Sequence, residues 1–328
     1  MSELFPEATL FQAPDPDEMR RYFMEKPRNM LPKLMTAMEA IDRFLHDGEY
    51  LAVGGFGTNR IPTALVHEVV RQRRKNLGFS GHTSTHDFQI LVGGGCIDRC
   101  DTAYVVGLEA RGLSANARRA YESGSIRSVE WSNAALAWRY KAAAMGLPFL
   151  PARTMLGTDT FSFSAAKEIT CPFTGMKLAA LPALSPDAAL IHVHRADEFG
   201  NCQIEGISVA DLDLARASKR VIVSAERLIP TEEIRSRPHC TSIPYYCVDA
   251  VVVQRYGGYP GNTAYEYYSD EEHLKEWLKA EADPEEFAAF IERYIYGVPD
   301  FDAYLALKGG EARMAQLRAE EFLDREAR

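Results

Sequence analysis

The chain has 328 residues, of which 46% are hydrophobic and 25% charged, the composition of a folded globular protein with no low-complexity tract. Its formal net charge of −9 argues against a non-specific nucleic-acid surface, because such surfaces are basic. No apolar run reaches the roughly 18 to 20 residues that span a bilayer. The six cysteines show no C-x-x-C spacing and no signal peptide is evident, so we expect free thiols and a cytoplasmic protein.

The N-terminal part of the chain leads into a glycine-rich turn. Five prolines among charged residues predict an extended arm over residues 1–32, with one short helix near residues 18–25. Apolar residues at helical spacing then predict a helix over residues 34–45, which ends at Asp47-Gly48. The apolar run 51–53 is followed by Gly54-Gly55-Phe56-Gly57, here called the glycine turn, and by an amphipathic stretch over 63–70. This order predicts a buried strand, a tight turn and a helix.

The glycine turn is a candidate oxyanion-binding site. Backbone N–H groups that no Cβ shields can approach a ligand oxygen, and the N-terminus of the following helix adds positive partial charge. The alternative is a tight strand-to-helix turn that binds no ligand.

The remaining elements alternate between strands and helices, which predicts a mostly parallel, doubly wound sheet of the α/β class. Residues 157–177 have few apolar repeats, so we expect a long functional loop that acts as a lid or interface. After residue 270 the chain is acidic and helical, with a frayed end after Gly310. We predict an arm over 1–32, one domain over 33–308 and a charged tail over 309–328. The predicted strands are 77–80, 102–106, 126–130, 188–193, 220–224 and 248–253, and the predicted helices between them are 88–92, 113–121, 133–145 and 212–217.

The residues around the glycine turn resemble the signature of the family I coenzyme A transferases. That signature reads Asp-Gly, two variable residues, three apolar residues, Gly-Gly-Phe, three variable residues, Gly, any residue and Pro. This chain departs from it only at Arg60, which replaces the last glycine. The A chain of the glutaconate CoA-transferase type also carries an Arg there, so the resemblance narrows to that branch. Similar segments extend it from about residue 35 to residue 308: LPFLP at 147–151, ALIHVHRADEFGN at 189–201, VIVSAERLIPTEEI at 221–234 and IPYYCVDAVV at 243–252.

The resemblance implies a CoA-transferase-like fold and an enzyme that moves CoA between a thioester and a small (di)carboxylic acid. In this family a glutamate attacks the thioester and forms a mixed anhydride, then an enzyme-bound thioester. The resemblance places that glutamate on a B subunit, since this chain lacks its Ser-Glu-Asn-Gly type motif. It therefore implies a heteromer, with A2B2 as a candidate stoichiometry. The CoA thioester is a substrate and no cofactor is bound permanently. Residues 54–57 are implied to place N–H groups near the thioester carbonyl.

Several side chains outside the glycine turn are candidates for the site. His82 and Thr85 follow the predicted strand 77–80, at an edge where α/β sheets bind ligands; the alternative is a helix N-cap beside a solvated His. Arg60 could pair with the distal carboxylate of a dicarboxylic substrate, or could form a structural ion pair. Glu109 is a carboxylate near a strand end, with a surface ion pair as its alternative role.

Asn133 and two histidines complete the candidates. Asn133 stands where a related branch, the ring-cleaving CoA hydrolases of steroid degradation, carries an acidic residue, and this difference favours a transferase. His192 and His194 lie two apart on a predicted strand and could bind a metal with Cys202 or Asp197. Hydrogen-bonded histidines are the commoner case, so we predict no metal site. The rival functions are a CoA-thioester hydrolase or decarboxylase subunit of the same fold, a non-catalytic sensor, and a purely structural subunit.

Overall fold

A computed structural model describes residues 10–104 and 112–323 of the chain, and its main sheet is parallel as the sequence predicts. The strand order is β11-β10-β8-β1-β2-β3-β4, and the short β9 pairs antiparallel with the end of β8. Because strands on both sides of β1 run parallel to it, their carboxyl ends meet at one edge. The strands of this sheet are β1 Tyr50–Val53, β2 Leu77–Gly81, β3 Ile97–Thr102, β4 Arg127–Glu130, β8 Ala188–Ala196, β9 Cys202–Gln203, β10 Arg220–Leu228 and β11 Ala250–Val253.

Helices cover both faces of the main sheet, which confirms the doubly wound α/β class. Along β1, Leu51 and Val53 face one core while Tyr50 and Ala52 face the other, as the two-residue period of a strand requires. The first core contains the helices α2 to α5 and the C-terminal helices, and the second contains α6 and α8. The helices are α1 Pro16–Glu25, α2 Ala37–Phe44, α3 Thr63–Arg71, α4 His86–Gly93, α5 Ala115–Glu122, α6 Asn133–Ala144, α7 Asp159–Ser162, α8 Asp211–Ala217, α9 Thr231–Ser236, α10 Glu271–Ala280, α11 Pro284–Ile291, α12 Phe301–Leu307 and α13 Gly310–Glu321.

A second, antiparallel sheet includes part of the long loop that was predicted over residues 157–177, which also contains the short helix α7. Its order is β5-β7-β6, formed by Phe149–Ala152, Lys177–Pro182 and Lys167–Thr170. The prediction missed β6 because this strand is largely exposed on both faces, so its residues show no apolar alternation. The predicted strand 102–106 is also displaced, since β3 ends at Thr102. The charged residues of its sequence IDRCDT interrupt the apolar pattern that indicates a strand.

A buried carboxylate joins the two sheets. Asp101 of β3 accepts hydrogen bonds from the hydroxyl of Tyr50, the indole of Trp131 and the guanidinium of Arg139. Arg139 also donates from Nε to the carbonyl oxygen of Pro182 in β7, at 3.0 Å. Asp101 and Arg139 are almost fully buried, so this ion pair is part of the packing and belongs to no surface site.

The two ends of the described chain pack against the domain. The predicted helix in the N-terminal arm is present as α1, and Lys26 just after it binds Asp249 and two carbonyl oxygens. The frayed end predicted after Gly310 is instead α13, whose Met314 and Leu317 are buried. Two apolar residues among many charges are a weak sequence signal, although they are enough to anchor one helical turn each. None of the described helices is both long and apolar enough to cross a membrane.

Candidate functional site

The glycine turn and the loop after β2 lie against each other at the carboxyl edge of the main sheet. The N–H of Gly57 donates to the carbonyl oxygen of Thr83 at 3.0 Å, and the hydroxyl of Thr85 donates to the carbonyl oxygen of Gly57 at 2.6 Å. The ring of Phe56 lies 5.5 Å from the ring of His82. Two segments that were singled out separately in the sequence therefore form one surface, at the edge where open α/β sheets bind ligands.

His82 is the titratable group at the centre of this surface. It is 8% exposed, and burial lowers the pKa of its imidazole, although a backbone hydrogen bond with Asn133 acts in the opposite direction. The ring is therefore neutral at pH 7. Asn133 is the first residue of α6, after the N-cap Ser132, and its Oδ1 is buried without a hydrogen-bond partner among the described residues. His82 and Asn133 thus meet beside the glycine turn, whereas Glu109 lies outside the described residues.

Thr85 has a different role from the predicted contact with substrate. It is 1% exposed, and its hydroxyl is bonded to the glycine turn. Thr85 occupies the N-cap position of α4 but makes no side-chain capping bond. The structure therefore corrects this prediction, because a buried hydroxyl with an internal acceptor fixes the loop and does not reach a ligand.

All four backbone N–H groups of the glycine turn have acceptors within the chain. Gly54 donates to the carbonyl oxygen of Leu190 at 2.9 Å and Phe56 to that of Asn59 at 3.0 Å. Gly55 donates to Oδ1 of Asp211 at 2.9 Å, and Gly57 is bonded to Thr83 as described above. The oxyanion prediction is therefore wrong for this conformation, because no N–H group of residues 54–57 is left for a thioester oxygen. The alternative, a tight turn between strand and helix, is the one the structure supports.

Arg60 forms the structural ion pair that was the alternative to a substrate contact. Its Nη1 lies 2.6 Å from Oδ2 of Asp211, at the start of α8, and its side chain has no exposed surface. The guanidinium also donates to the carbonyl oxygens of His192 and Ile207. A substrate carboxylate cannot reach a buried guanidinium that already has an anionic partner, so the predicted role of Arg60 is corrected. Asp211 was missed because nothing local in the sequence DLDLARA marks it as a partner of the turn.

Residues with a positive φ cluster around the same edge. Arg60, Thr83, Val209, Tyr256 and Tyr265 have φ values of 57°, 55°, 42°, 61° and 64°. Thr83 and Val209 are β-branched, for which this region of the backbone map is strained. Such strain persists only where the surroundings over-determine the conformation, and it is common at functional sites.

Buried hydrogen bonds use the ring nitrogens of both strand histidines. His192 contacts Oγ of Ser224 at 2.9 Å and Oε1 of Glu226 at 2.8 Å. His194 accepts from the N–H of Glu205 and donates to the carbonyl oxygen of Ala264, and burial lowers the pKa of its imidazole to about 4. Within the two described ranges, no group of three or more His, Cys, Asp or Glu side chains is placed to hold a metal ion.

Glu226 was also missed in the sequence, and it organises the loop beside the turn. Its carboxylate accepts from the N–H of Tyr256 at 2.7 Å and from the hydroxyl of Tyr267 at 2.8 Å, in addition to its contact with His192. The loop held in this way carries Asn262, which binds Thr58 and Arg60 through its backbone. Glu226 is 4% exposed, so it positions this loop from inside the fold and does not itself line the surface.

Asp87 is a further buried carboxylate beneath the loop of His82. Its Oδ1 accepts the N–H of Thr85 at 2.7 Å, while its Oδ2 is buried without a partner among the described residues. Burial raises the pKa of this carboxyl to about 6, against backbone hydrogen bonds that lower it. A group of this kind titrates near neutral pH inside the fold.

The sequence and the backbone both match proteins of known type. Residues 34–254 match the sequence profile of the coenzyme A transferase family. The chain belongs to that family. Within it, an uncharacterized protein of Archaeoglobus fulgidus is 49% identical over 311 residues, covering 94% of this chain and 70% of that protein. The A chain of the glutaconate CoA-transferase of Acidaminococcus fermentans is 34% identical over 305 residues, covering 88% of this chain and 95% of the relative.

Solved structures agree with this family assignment. The crystal structure of the Acidaminococcus fermentans glutaconate coenzyme A-transferase superposes with a TM-score of 0.83 and 33% identity, covering 87% of this chain and 95% of that one. A variant of the decarboxylase AibA/AibB superposes with a TM-score of 0.72 and 31% identity, covering 80% of this chain and 98% of that one. The predicted CoA-transferase family and α/β fold are confirmed.

Alanine at two positions of the glycine turn separates backbone strain from steric clash. Gly55 and Gly57 both have a positive φ, at 91° and 61°. A Cβ on Gly55 would lie 2.8 Å from the carbonyl oxygens of Asn59 and Arg60, whereas a Cβ on Gly57 would meet nothing within 4 Å. We expect Gly57→Ala to cost about 1–2 kcal/mol of unfolding free energy through strain alone. Gly55→Ala should lower the unfolding free energy by about 1–3 kcal/mol more than Gly57→Ala does, because its Cβ also clashes with the two carbonyl oxygens. Denaturant unfolding of the isolated chain measures both, and equal losses would contradict the predicted clash.

The pH dependence of stability tests the environment of Asp87. Its pKa is raised from 3.8 to about 6 in the fold, so the folded chain holds a proton that the unfolded chain releases between these values. The contribution of Asp87 to stability is therefore greatest below pH 4 and falls as pH rises through 6. Asp87→Asn keeps an acceptor for Thr85 and cannot ionise. Between pH 4 and pH 7, the unfolding free energy of this variant should rise relative to that of the parent by on the order of 3 kcal/mol. If the unfolding free energies of the two proteins change in parallel with pH, the pKa of Asp87 is not raised in the fold.

Proposed function

We propose that the chain is the A chain of a heteromeric CoA-transferase, which moves CoA between a thioester and a small (di)carboxylic acid. The observation that carries the proposal is its similarity to the A chain of glutaconate CoA-transferase over 95% of the length of that relative. Its substrates are an acyl-CoA and a carboxylate, and no permanently bound cofactor takes part. The partner is a B subunit, with A2B2 as one arrangement to test.

The carboxylates near the glycine turn are paired or buried within this chain, which supports the proposal that the nucleophile belongs to another chain. Asp211 is bonded to Arg60 and Gly55, and Glu226 to His192, Tyr256 and Tyr267. Asp87 is 1% exposed. None of these three groups can attack a thioester without first leaving its partners or the core. This burial supports the proposal that the covalent glutamate of the reaction comes from the B subunit.

In the proposed reaction the partner glutamate attacks the thioester carbonyl, and the CoA thiolate leaves as a mixed anhydride forms. The thiolate then attacks the glutamyl carbonyl, which releases the acid and leaves an enzyme-bound thioester. This chain forms the side of the active site that contacts the thioester. His82 offers a neutral imidazole next to Phe56 and orients the acyl group, while Asn133 supports the imidazole of His82 through a backbone hydrogen bond.

A hydrolase or decarboxylase subunit is the second candidate. The similarity to the decarboxylase AibA/AibB, at 31% identity, favours it. The same site on this chain could serve either reaction, because the difference between them depends on the residue that the partner brings. Asn133, where the related hydrolases carry an acidic residue, favours the transferase.

Thioester exchange by the isolated chain tests the proposed division of labour. We expect little or no transfer of CoA between an acyl-CoA and a free carboxylic acid by this chain alone, because it lacks the nucleophile. Addition of the purified partner should restore turnover and form a covalent glutamyl-CoA thioester that borohydride reduces and mass spectrometry locates on the partner. Full turnover without a second polypeptide contradicts the proposal. Hydrolysis or decarboxylation without transfer supports the second candidate.

Replacement of His82 tests its proposed contact with the acyl group. His82→Gln removes the imidazole while keeping a side chain of similar size, and we expect kcat/KM of the assembled enzyme to fall about tenfold or more, which corresponds to ~1.4 kcal/mol of barrier. His67→Gln is the matched control, since His67 is also buried but packs against Phe301 and Tyr304. Both variants are compared per folded, assembled heteromer. If kcat/KM of the His82 variant equals that of the control, His82 does not contact the acyl group.

A further inference from the structure

The loop between β2 and α4 leads into a buried acidic residue that the proposed reaction does not use. Asp87 lies in the first turn of α4 and is 1% exposed. A carboxylate in the first turn of a helix is normally favourable, because water solvates it and the helix dipole attracts it. Burial removes the solvation, and Oδ2 of Asp87 has no hydrogen-bond partner among the described residues. Such a group lowers stability, and groups of this kind are concentrated at functional sites.

A second unsatisfied oxygen lies near Oδ2 of Asp87. Ser84 is 1% exposed, and its hydroxyl oxygen also has no hydrogen-bond partner within the described ranges. A Cβ on Gly81 would lie 2.0 Å from Oγ of Ser84 and 3.4 Å from Oδ2 of Asp87, so the two oxygens share the space that a side chain at residue 81 would fill. Burial raises the pKa of the Asp87 carboxyl to about 6, against backbone hydrogen bonds and the hydroxyl of Ser84, which lower it.

Hydrogen bonds connect Asp87 to the segment that carries His82. Oδ1 of Asp87 accepts the N–H of Thr85 at 2.7 Å. The hydroxyl of Thr85 donates to the carbonyl oxygen of Gly57, and the N–H of Gly57 donates to the carbonyl oxygen of Thr83. Because His82 directly precedes Thr83, the carboxylate, the glycine turn and the imidazole belong to one connected unit.

Backbone strain in this segment makes its anchors important. Thr83 has a φ of 55°, in the left-handed region that a β-branched residue disfavours. Such strain persists only where neighbouring contacts over-determine the conformation. Here the bond from Gly57 holds Thr83 itself, and the bond to Asp87 holds Thr85. Weakening the second anchor would let the segment relax and His82 move.

Titratable side chains on neighbouring elements lie around α4, and burial keeps them neutral at pH 7. They are Cys100 of β3, which faces Asp87, Tyr121 of α5, His67 of α3 and His273 of α10. Burial raises the pKa of the thiol to about 12, raises that of the phenol as well, and lowers those of both imidazoles. On α4 itself, the ring nitrogens of His86 contact the hydroxyls of Thr63 and Thr85 at 2.9 and 3.2 Å. Replacement of Asp87 by Asn leaves all of these groups in place, so it isolates the effect of the carboxylate.

We propose that Asp87 is a positioning residue for the transfer reaction, which holds His82 in place through Thr85 and Ser84. This inference rests on the proposed function, in which His82 contacts the acyl group. The ionised carboxylate accepts the N–H of Thr85 and draws in the hydroxyl of Ser84, and bonds to a charged acceptor are stronger than bonds to a neutral one. The same buried charge makes the fold less stable, so Asp87 exchanges stability for a fixed position of His82.

Kinetics of the assembled enzyme separate positioning from stability. In the parent, kcat/KM should rise as the pH increases through about 6, because the charged form holds the segment. Asp87→Asn should lose this rise and be about tenfold slower at pH 8, even though removal of a buried charge should stabilise its fold there. Ser84→Ala should keep the rise but move it to higher pH, since it removes a hydroxyl that lowers the pKa of Asp87.

Glu281→Gln is the matched control for the kinetics. Glu281 is also buried, and burial raises the pKa of its carboxyl, against hydrogen bonds that lower it. It bonds to Ser114, Asn116 and the indole of Trp277, all outside the segment that carries His82. This variant should keep both the parental kcat/KM at pH 8 and the rise near pH 6.

The NMR signal of the His82 ring follows the same event in the full chain without its partner. The signal is identified by its absence from His82→Gln. Its shift should show a step near pH 6, in addition to that of its own protonation, and this step should disappear in Asp87→Asn.

The outcomes distinguish this inference from the proposed function. Identical His82 titrations in the parent and in Asp87→Asn overturn the positioning role, as does a parental kcat/KM of Asp87→Asn at pH 8. An equal loss of kcat/KM in Glu281→Gln also overturns it, because any buried carboxylate would then have the same effect. The NMR step together with an assembled complex that transfers no CoA supports the control of His82 by Asp87 and refutes the proposed transferase activity.

Discussion

The buried ion pair between Asp211 and Arg60 is the contact on which the carboxyl edge of the sheet depends. It joins Arg60, three residues after the glycine turn, to α8 across 151 residues of sequence. Removing one partner would leave a charge with no exposed surface uncompensated, at a cost of about 3–5 kcal/mol. The same carboxylate accepts the N–H of Gly55, so the pair sets the conformation of the turn as well as its position.

Most polar groups at this edge are occupied by hydrogen bonds within the chain. The N–H groups of the turn, the hydroxyl of Thr85 and the carboxylates of Asp211 and Glu226 all bond within the chain. They hold Phe56, His82 and Asn133 in place on a surface that offers few free reactive groups. A site with a well-supported wall and no accessible nucleophile behind its turn, within the described part of the chain, fits one half of a two-chain enzyme.

The success of the sequence predictions followed the strength of the local signal. The buried strands β1, β2, β8 and β10 are apolar runs bounded by turn residues, and all four are present near the predicted positions. The hairpin of β6 and β7 was missed, and α13 was predicted only as the frayed end of the helical C-terminal region. β6 is largely exposed and only Met314 and Leu317 of α13 are buried, so few of their positions need to be apolar and their periodicity is too weak to read from one sequence.

The sequence by itself determined the family and the parallel α/β architecture, because the residues around the glycine turn and the apolar strand segments are contiguous in the chain. It also selected His82 and Asn133, which the fold brings together beside Phe56. Only the tertiary structure decided what the turn and Arg60 do. Each of these groups has its partner far away in sequence: Asp211 for Gly55 and Arg60, and His192 for Arg60 again. A local pattern indicates which element a residue belongs to, whereas the acceptor of its hydrogen bond is set by how distant elements pack.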